Sequence, residues 1–384
     1  MKRDEWTGCS GQERLEVTMA ALVPAGIGLL GPIVMLGGRL SWLGAGLALP
    51  VGMCLAPVWK RLGRDGLDHG LEEAFGRWGG VGAEVLYLLW GLALLTDSAR
   101  KYSERLLTVS EGEGVRWFFL ISALMVCLLL NRGGDDRFGR AGRIFFLVVA
   151  VALGITGALA LGGVRWQNLW PPEGAGWWGL PGSGALCLSL AGYGVYALCL
   201  PVRSGEGGAR AGVVWGCGAL TLFLLLVIGT FGPVLAGRMG EPFLYLLEGV
   251  RMPGAFRRGD AGLLMVLALG NLLLMSLLGR GCMTLWKRLV SPFPALGWLL
   301  VAGAFAVAGG LPGLGRVWAW LSARLPAGNL ILGVLLPAVA VLTIKARDRR
   351  KRQATFCGKG SKGEIDVAVN SGDKKSGREN EKKC

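Results

Sequence analysis

Apolar runs long enough to cross a bilayer recur along the whole chain, separated by short polar connections. A helix needs roughly 20 residues to cross about 30 Å of hydrocarbon. On that measure the sequence predicts ten spans, at 17–36, 40–59, 80–96, 117–130, 144–164, 180–202, 211–235, 261–286, 294–311 and 329–344. The third span is expected to continue as a helix towards residue 107. The pattern predicts an all-α polytopic membrane protein whose transmembrane domain covers residues 1–345.

Two of these spans are unusually rich in residues that weaken helices. Span six has Gly192 and Gly194 at its middle, and span one has Pro24, Gly26 and Gly28 at a corresponding place. Each Gly costs a helix roughly 1 kcal/mol relative to Ala. An opened backbone is tolerated in hydrocarbon only where protein or a polar cavity covers it. Because the two spans lie five apart, we predict a 5+5 inverted-repeat transporter with discontinuous helices one and six. The alternative is continuous helices whose small residues allow close packing.

Composition and charge agree with a membrane protein. The chain has 384 residues, of which 52% are hydrophobic and 17% charged, whereas soluble domains carry about 25% charged residues. The net charge of +15 does not indicate nucleic-acid binding, because the basic residues lie in short connections and at the C-terminal end. Their distribution predicts cytoplasmic N and C termini. Residues 346–384 are polar and predict a disordered basic cytoplasmic tail.

Polar residues inside the apolar spans are candidates for function, because they are costly there. Glu84 is expected at the membrane interface, and Asp97 is expected to pair along one helix face with Arg100 and Glu104. Between spans seven and eight, residues 242–250 predict a short amphipathic helix. Bare backbone groups at helix breaks can hold a carboxylate or an ammonium group. The predicted ligand site for a small zwitterion or ion therefore consists of Gly26, Gly28, Ser189, Gly192, Tyr193, Gly194 and Asn271.

Nothing in the sequence points to an enzyme or to a cofactor. The chain has no Walker A, HExxH or GxSxG motif, and its nine cysteines include no CxxC pair. The single histidine, His69, lies in a charged connection. We therefore expect no catalytic residues, no metal and no cofactor.

Several short motifs, in their order and spacing, carry a family resemblance. They are Gly229–Arg238, then Glu241-Pro242-Phe243, then Phe256–Asp260, then Met275-Ser276-Leu277, preceded by Arg100, Tyr102 and Glu104 and by Asn168–Pro172. Together they resemble the B subunit of bacterial spore germinant receptors, the endospore germination permeases. The resemblance covers about residues 12–347 and is strongest over 229–278.

The resemblance implies a fold similar to the amino acid/polyamine/organocation transporters, in the inner membrane of a spore-forming bacterium. It implies a nutrient germinant, often an amino acid, bound within a receptor that also contains A and C subunits and lies in the lipid bilayer. The chain departs from the family pattern because span six lacks an acidic residue near Tyr193 and because Glu241 replaces the usual aromatic residue. Two other hypotheses remain open: an active secondary transporter of amino acids, and a structural membrane protein that binds no ligand.

Overall fold

The computed structural model describes residues 10–63, 66–109, 115–169, 176–200, 202, 209–249, 259–290, 294–310 and 315–350. These residues form helices joined by short loops. The first half holds α1 (Gly11–Gly37), α2 (Ser41–Leu62), α3 (Leu67–Val109), α4 (Arg116–Arg132) and α5 (Asp135–Ala160). The second half holds α6 (Leu180–Ser189), α7 (Ala191–Gly194), α8 (Ala209–Phe231), α9 (Pro233–Arg238), α10 (Pro242–Gly249), α11 (Gly259–Leu289), α12 (Pro294–Ala308), α13 (Gly315–Ser322) and α14 (Leu325–Leu330). α14 continues through a π-helical turn, Ile331–Leu335, and the whole helix Leu325–Arg350 is called the last helix below.

The all-α membrane architecture predicted from the sequence is confirmed. Among the described residues, seven helical stretches are long and apolar enough to cross a membrane. One of them, Gly11–Leu62, contains both α1 and α2 and has 52 residues. It bends at Gly38, whose φ of 55° and ψ of −134° lie outside the helical region. The short helix predicted between spans seven and eight is also found, as α10.

α1 lies at the centre of the bundle, and it is not broken. It begins at a capping box formed by Ser10 and Glu13 and packs against α5, α6, α8, α9 and α11. It runs without interruption through Pro24 and Pro32, so the predicted break in span one is wrong. A proline has no N–H, so Pro24 removes the helical hydrogen bond to the carbonyl of Ala20. Helices packed around α1 hold the remaining turns in place.

Helix six changes its hydrogen-bond register at the predicted place, but it tightens instead of unwinding, so the opened break predicted there is not found. α6 ends at Ser189, Leu190 forms a turn, and α7 leads into a 3-10 helix at Val195–Cys199. The backbone stays right-handed throughout, with φ −59° and ψ −24° at Leu190 and φ −59° and ψ −32° at Val195. The glycines therefore permit a change of hydrogen-bond register and not an opened segment.

The two ends of the described chain lie at the same end of the bundle. At this end, called the termini end below, Arg14 near the start of α1 donates to the carbonyl of Gly63, and Arg61 of α2 forms an ion pair with Asp348. The last helix extends to Arg350, so residues 346–350 of the predicted tail are helical. Residues 351–384 lie outside the described residues.

Candidate functional site

Near the predicted site, the backbone of helix six lies very close to the backbone of the last helix. A Cβ on Gly192 would lie 2.6 Å from the Cα of Asn329, and one on Gly333 would overlap the backbone nitrogen of Gly192. Only glycine allows two helices to approach this closely. The contact fixes α7 against the π-helical turn.

The π-helical turn changes the backbone hydrogen bonds of the last helix, because each bond spans five residues instead of four. Two carbonyls of this turn accept side-chain donors from other helices. The Tyr87 hydroxyl donates to Leu332 O at 2.7 Å, and Trp59 Nε1 donates to Gly333 O at 2.8 Å. Both donors therefore hold the turn in position beside α7.

Five polar or aromatic residues surround the interruption of helix six. We call Trp90, Asp97, Lys101, Tyr193 and Asn329 the Tyr193 cluster. Trp90 Nε1 donates to Asn329 Oδ1 at 2.9 Å, and Lys101 Nζ lies 2.8 Å from Asp97 Oδ2. Tyr193 is 6% exposed. It adjoins Asn329 and lies within electrostatic range of the Asp97–Lys101 pair. The cluster places one positive and one negative charge next to neutral hydrogen-bonding groups.

Sequence reasoning expected Asp97 to be paired with Arg100. In the structure Arg100 pairs with Glu104 at 2.8 Å, while Asp97 pairs with Lys101. The Asp97 carboxylate is 4% exposed, because Asp97 faces the bundle interior from α3. An i, i+4 spacing brings both pairs together, and spacing alone does not show which pair faces inward.

A second buried polar group adjoins the Tyr193 cluster further along α3. Arg105 binds both oxygens of Glu241, at 2.8 Å from Nε and 2.7 Å from Nη2. Its Nη2 also donates to the carbonyl of Pro24 in α1 at 3.3 Å. A cavity of about 10 Å³, lined in part by Tyr102, Arg105 and Asn271, lies beside this pair and has room for about one water molecule.

This pair was not predicted from the sequence. The Arg105 side chain is 8% exposed. The available signal was the series of basic residues after the predicted end of span three, Arg100, Lys101, Arg105 and Arg116. Two of these residues belong to the buried polar groups just described.

The structure divides the predicted site residues between several environments. Gly192 and Tyr193 belong to the contact with the last helix, and Gly194 faces Thr18 and Leu22 of α1, whose nearest atoms would lie 3.9 Å from a Cβ added to it. Ser189 donates to Leu186 O at 2.7 Å. Gly26 packs on Leu190 and Leu220, and Gly28 lies next to Arg105. Asn271 lines the small cavity.

Another charged group lies at the termini end, where α11 meets α3. Arg288 lies 3.2 Å from Asp68 and 3.3 Å from Glu84, and it also binds Glu72. We call these four residues the Arg288 clamp. Glu84 is fully buried inside the bundle, and its expected position at the membrane interface stays a prediction. Its partner was not predictable from span three alone, because α11 brings the arginine to it.

The Arg288 clamp spans a kink in α3. Gly76 has φ 78° and ψ −180°, in the left-handed region that Gly adopts without a steric penalty. Asp68 and Glu72 precede this kink and Glu84 follows it, so one guanidinium group holds both arms of α3.

The Arg105 pair yields a testable prediction. Replacing Glu241 with Gln should destabilise the folded chain by about 2 kcal/mol, because breaking a buried, hydrogen-bonded charge pair leaves Arg105 uncompensated. Thermal unfolding in detergent measures the change. Glu104→Gln is the matched control, since its partner Arg100 is 38% exposed and exposed pairs contribute about 0–1 kcal/mol. Equal changes in the two variants would contradict a structural role for the Arg105 pair.

Comparisons with known proteins agree with this architecture. A family model described as a spore germination protein matches residues 25–307, and no curated protein sequence matches the chain. Two mutant forms of a manganese transporter from Eremococcus coleocola have similar structures. The first has a TM-score of 0.52 and 14% identity and covers 88% of this chain and 75% of that one. The second has a TM-score of 0.50 and 15% identity, with coverage of 86% and 76%. At these identities the likeness shows the fold alone.

Proposed function

The chain belongs to the spore germination protein family, and on that premise we propose that it is a membrane-embedded germinant-sensing subunit that binds a small zwitterion, such as an amino acid. The observation that carries the proposal is the Asp97–Lys101 pair on α3, which lies within electrostatic range of Tyr193 in helix six. A ligand ammonium group would bind Asp97 and a ligand carboxylate would bind Lys101. Charge-assisted hydrogen bonds of this kind are the strong ones.

The proposed site keeps the residues expected from the sequence and adds those from the other helices. Gly192 and Tyr193 would form its wall on helix six, beside Asn329, and Asp97 and Lys101 would supply its charges. Gly194 would border the site on the side of α1. The more distant residues of the predicted set, Gly26, Gly28, Ser189 and Asn271, would line the path that leads to it. Lys101 is 43% exposed, so this end of the pair is accessible to a ligand.

The cavity described near this site is too small to hold an amino acid. The cavity beside Arg105 has about 10 Å³, whereas pockets for small ligands have about 300–1,000 Å³. Binding of an amino acid therefore requires the helices to separate, and the ligand stabilises the separated arrangement by its greater affinity for it. In the sensor hypothesis, A and C subunits respond to this change.

The ten-span, 5+5 arrangement is part of the same proposal. It requires Gly11–Leu62 to cross the membrane twice, which its 52 residues allow, since about 20 suffice for one crossing. It also requires α4 and α12 to cross, with 17 and 15 residues. The excess of basic residues at the termini end supports a cytoplasmic location of both termini in the inner membrane.

A ligand-dependent shift in unfolding temperature tests the site. A bound ligand stabilises the folded state in proportion to the logarithm of its concentration over Kd. We expect at least one of the common amino acids to stabilise the purified chain saturably, and Asp97→Asn to weaken its binding about tenfold or more, because a hydrogen bond to a charged group is lost.

Asp135→Asn is the matched control for that experiment. Asp135 also forms an ion pair, in its case with Arg280 of another helix, but it lies outside the Tyr193 cluster. This variant should therefore keep the ligand affinity of the unsubstituted chain. Equal affinity in Asp97→Asn would place the ligand elsewhere, and the absence of stabilisation by any amino acid would contradict the ligand class.

The rival hypothesis, an active secondary transporter of amino acids, is supported by the transporter-like fold. Uptake of the labelled ligand into proteoliposomes separates it from the sensor. Saturable uptake would favour the transporter, whereas binding without uptake would favour the sensor.

A further inference from the structure

A groove between the first arm of α3 and the end of the last helix carries two basic side chains. It has a volume of about 360 Å³ and is lined by Ala74, Phe75, Thr343, Ala346, Arg347 and Arg350. Four of these residues are spaced i, i+3, i+4 and i+7 along the last helix and so share one of its faces. The wall therefore consists of one continuous helix face opposite the end of the first arm of α3.

The charges in the groove are available to a ligand. Arg347 donates to the backbone carbonyl of Glu73 at 2.8 Å, which positions its guanidinium group without neutralising it. Asp348, on the neighbouring face of the last helix, is already paired with Arg61. Within the described residues, neither Arg347 nor Arg350 forms an ion pair. Two uncompensated guanidinium groups therefore lie one helical turn apart.

The groove adjoins exposed apolar surface on both helices. On the last helix, Val339 and Leu342 are 48% and 64% exposed, and they continue the face that carries Ala346. On α3, Trp78 is 87% exposed and Val85 is 40% exposed. Tryptophan is enriched where a protein meets the headgroup layer. The groove thus lies where hydrocarbon-facing surface gives way to charged surface.

We propose that this groove binds an anionic phospholipid, with its phosphate between Arg347 and Arg350 and an acyl chain along Phe75 and the exposed apolar residues. Arginine binds phosphate with two parallel hydrogen bonds, and basic pockets between membrane helices bind lipid headgroups. A soluble phosphate would use only the two arginines. The apolar wall that leads into the bilayer favours a lipid.

Lipid binding to the purified full-length chain tests the proposal, with phosphatidylglycerol and phosphatidylcholine as the two probes. We expect native mass spectrometry to show tighter binding of phosphatidylglycerol. The double variant Arg347→Gln/Arg350→Gln should lose that preference, because each arginine removed should lower the affinity for phosphatidylglycerol about fivefold. High salt should weaken the preference in the unsubstituted chain.

The matched control is Lys345→Gln/Arg349→Gln, which removes the same charge from the same helix end but from residues outside the groove. Both double variants should unfold at the same temperature in lipid-free detergent, so a folding defect would be visible separately. Glycerol phosphate should not compete with the lipid. The proposal is overturned if the two double variants bind phosphatidylglycerol equally, if the unsubstituted chain does not distinguish the two lipids, or if glycerol phosphate competes.

Discussion

Replacing Arg288 with glutamine is expected to destabilise the folded chain by about 3–5 kcal/mol, the cost of removing one partner from a buried ion pair. Glu84 is fully buried, and neither of its oxygens receives a hydrogen bond from a described residue. The guanidinium of Arg288, 3.3 Å away, is the group that compensates its charge. Asp68 and Glu72 would lose the same partner, and their repulsion with Glu84 would then push the two arms of α3 apart.

A native cysteine makes the consequence measurable. Cys199 is 8% exposed and lies within electrostatic range of Asp68 and Glu84. If the Arg288 clamp holds the two arms of α3 against helix six, its loss should expose this thiol. Alkylation by a maleimide, followed by mass spectrometry of the Cys199 peptide, should be faster in Arg288→Gln than in the unsubstituted chain.

Two variants distinguish the clamp from a general loss of stability. Arg280→Gln removes an interhelical ion pair with Asp135 from the same helix, and it should leave alkylation of Cys199 slow. The double variant Arg288→Gln/Glu84→Gln should recover part of the lost stability, because the buried charge disappears with its partner. If Arg280→Gln and Arg288→Gln expose Cys199 equally, the clamp has no specific role at the kink of α3.

The sequence pattern was sufficient to predict the elements that depend only on residues near them in the chain. Apolar runs placed the spans, and α10 follows from the apolar face of residues 242–250. The place of the register change in helix six was predictable, because Gly192 and Gly194 weaken the helix within its own segment. Each of these features depends on neighbours in the chain.

Features that depend on distant residues were not predictable. Pro24 suggested a break in α1, but the surrounding helices keep that helix continuous. The role of Arg105 was not predictable because its partner, Glu241, becomes close only in the folded bundle. The π-helical turn at Ile331–Leu335 has no sequence signal of its own, since its stability depends on donors from Trp59 and Tyr87.

The close contact between helix six and the last helix gives the second large expected effect. Gly192→Ala should destabilise the chain by about 3 kcal/mol, at the upper end of the range for overpacking. The new Cβ would lie 2.6 Å from the Cα of Asn329, whereas carbon atoms in contact prefer about 3.5–4.0 Å. Because the obstacle is backbone, the last helix must move as a whole. That movement would strain the bonds from Tyr87 and Trp59 to its π-helical turn.

Gly194→Ala is the matched control, two residues along the same segment. The nearest atoms to its Cβ position, in Thr18 and Leu22, are 3.9 Å away, which is ordinary contact. Alanine is the better helix former by roughly 1 kcal/mol, so this variant should be as stable as the unsubstituted chain or slightly more stable. Unfolding temperatures in detergent compare the two variants directly.

The contact can be tested from its other side as well. A Cβ on Gly333 would overlap the backbone nitrogen of Gly192, so Gly333→Ala should destabilise the chain in the same way. Since either substitution already forces the two helices apart, the double variant should cost less than the sum of the single variants. Strict additivity, or a Gly192→Ala variant as stable as Gly194→Ala, would show that the helices do not depend on each other at this contact. A sub-additive loss, together with a lost response to ligand, would link the position of the last helix to the Tyr193 cluster.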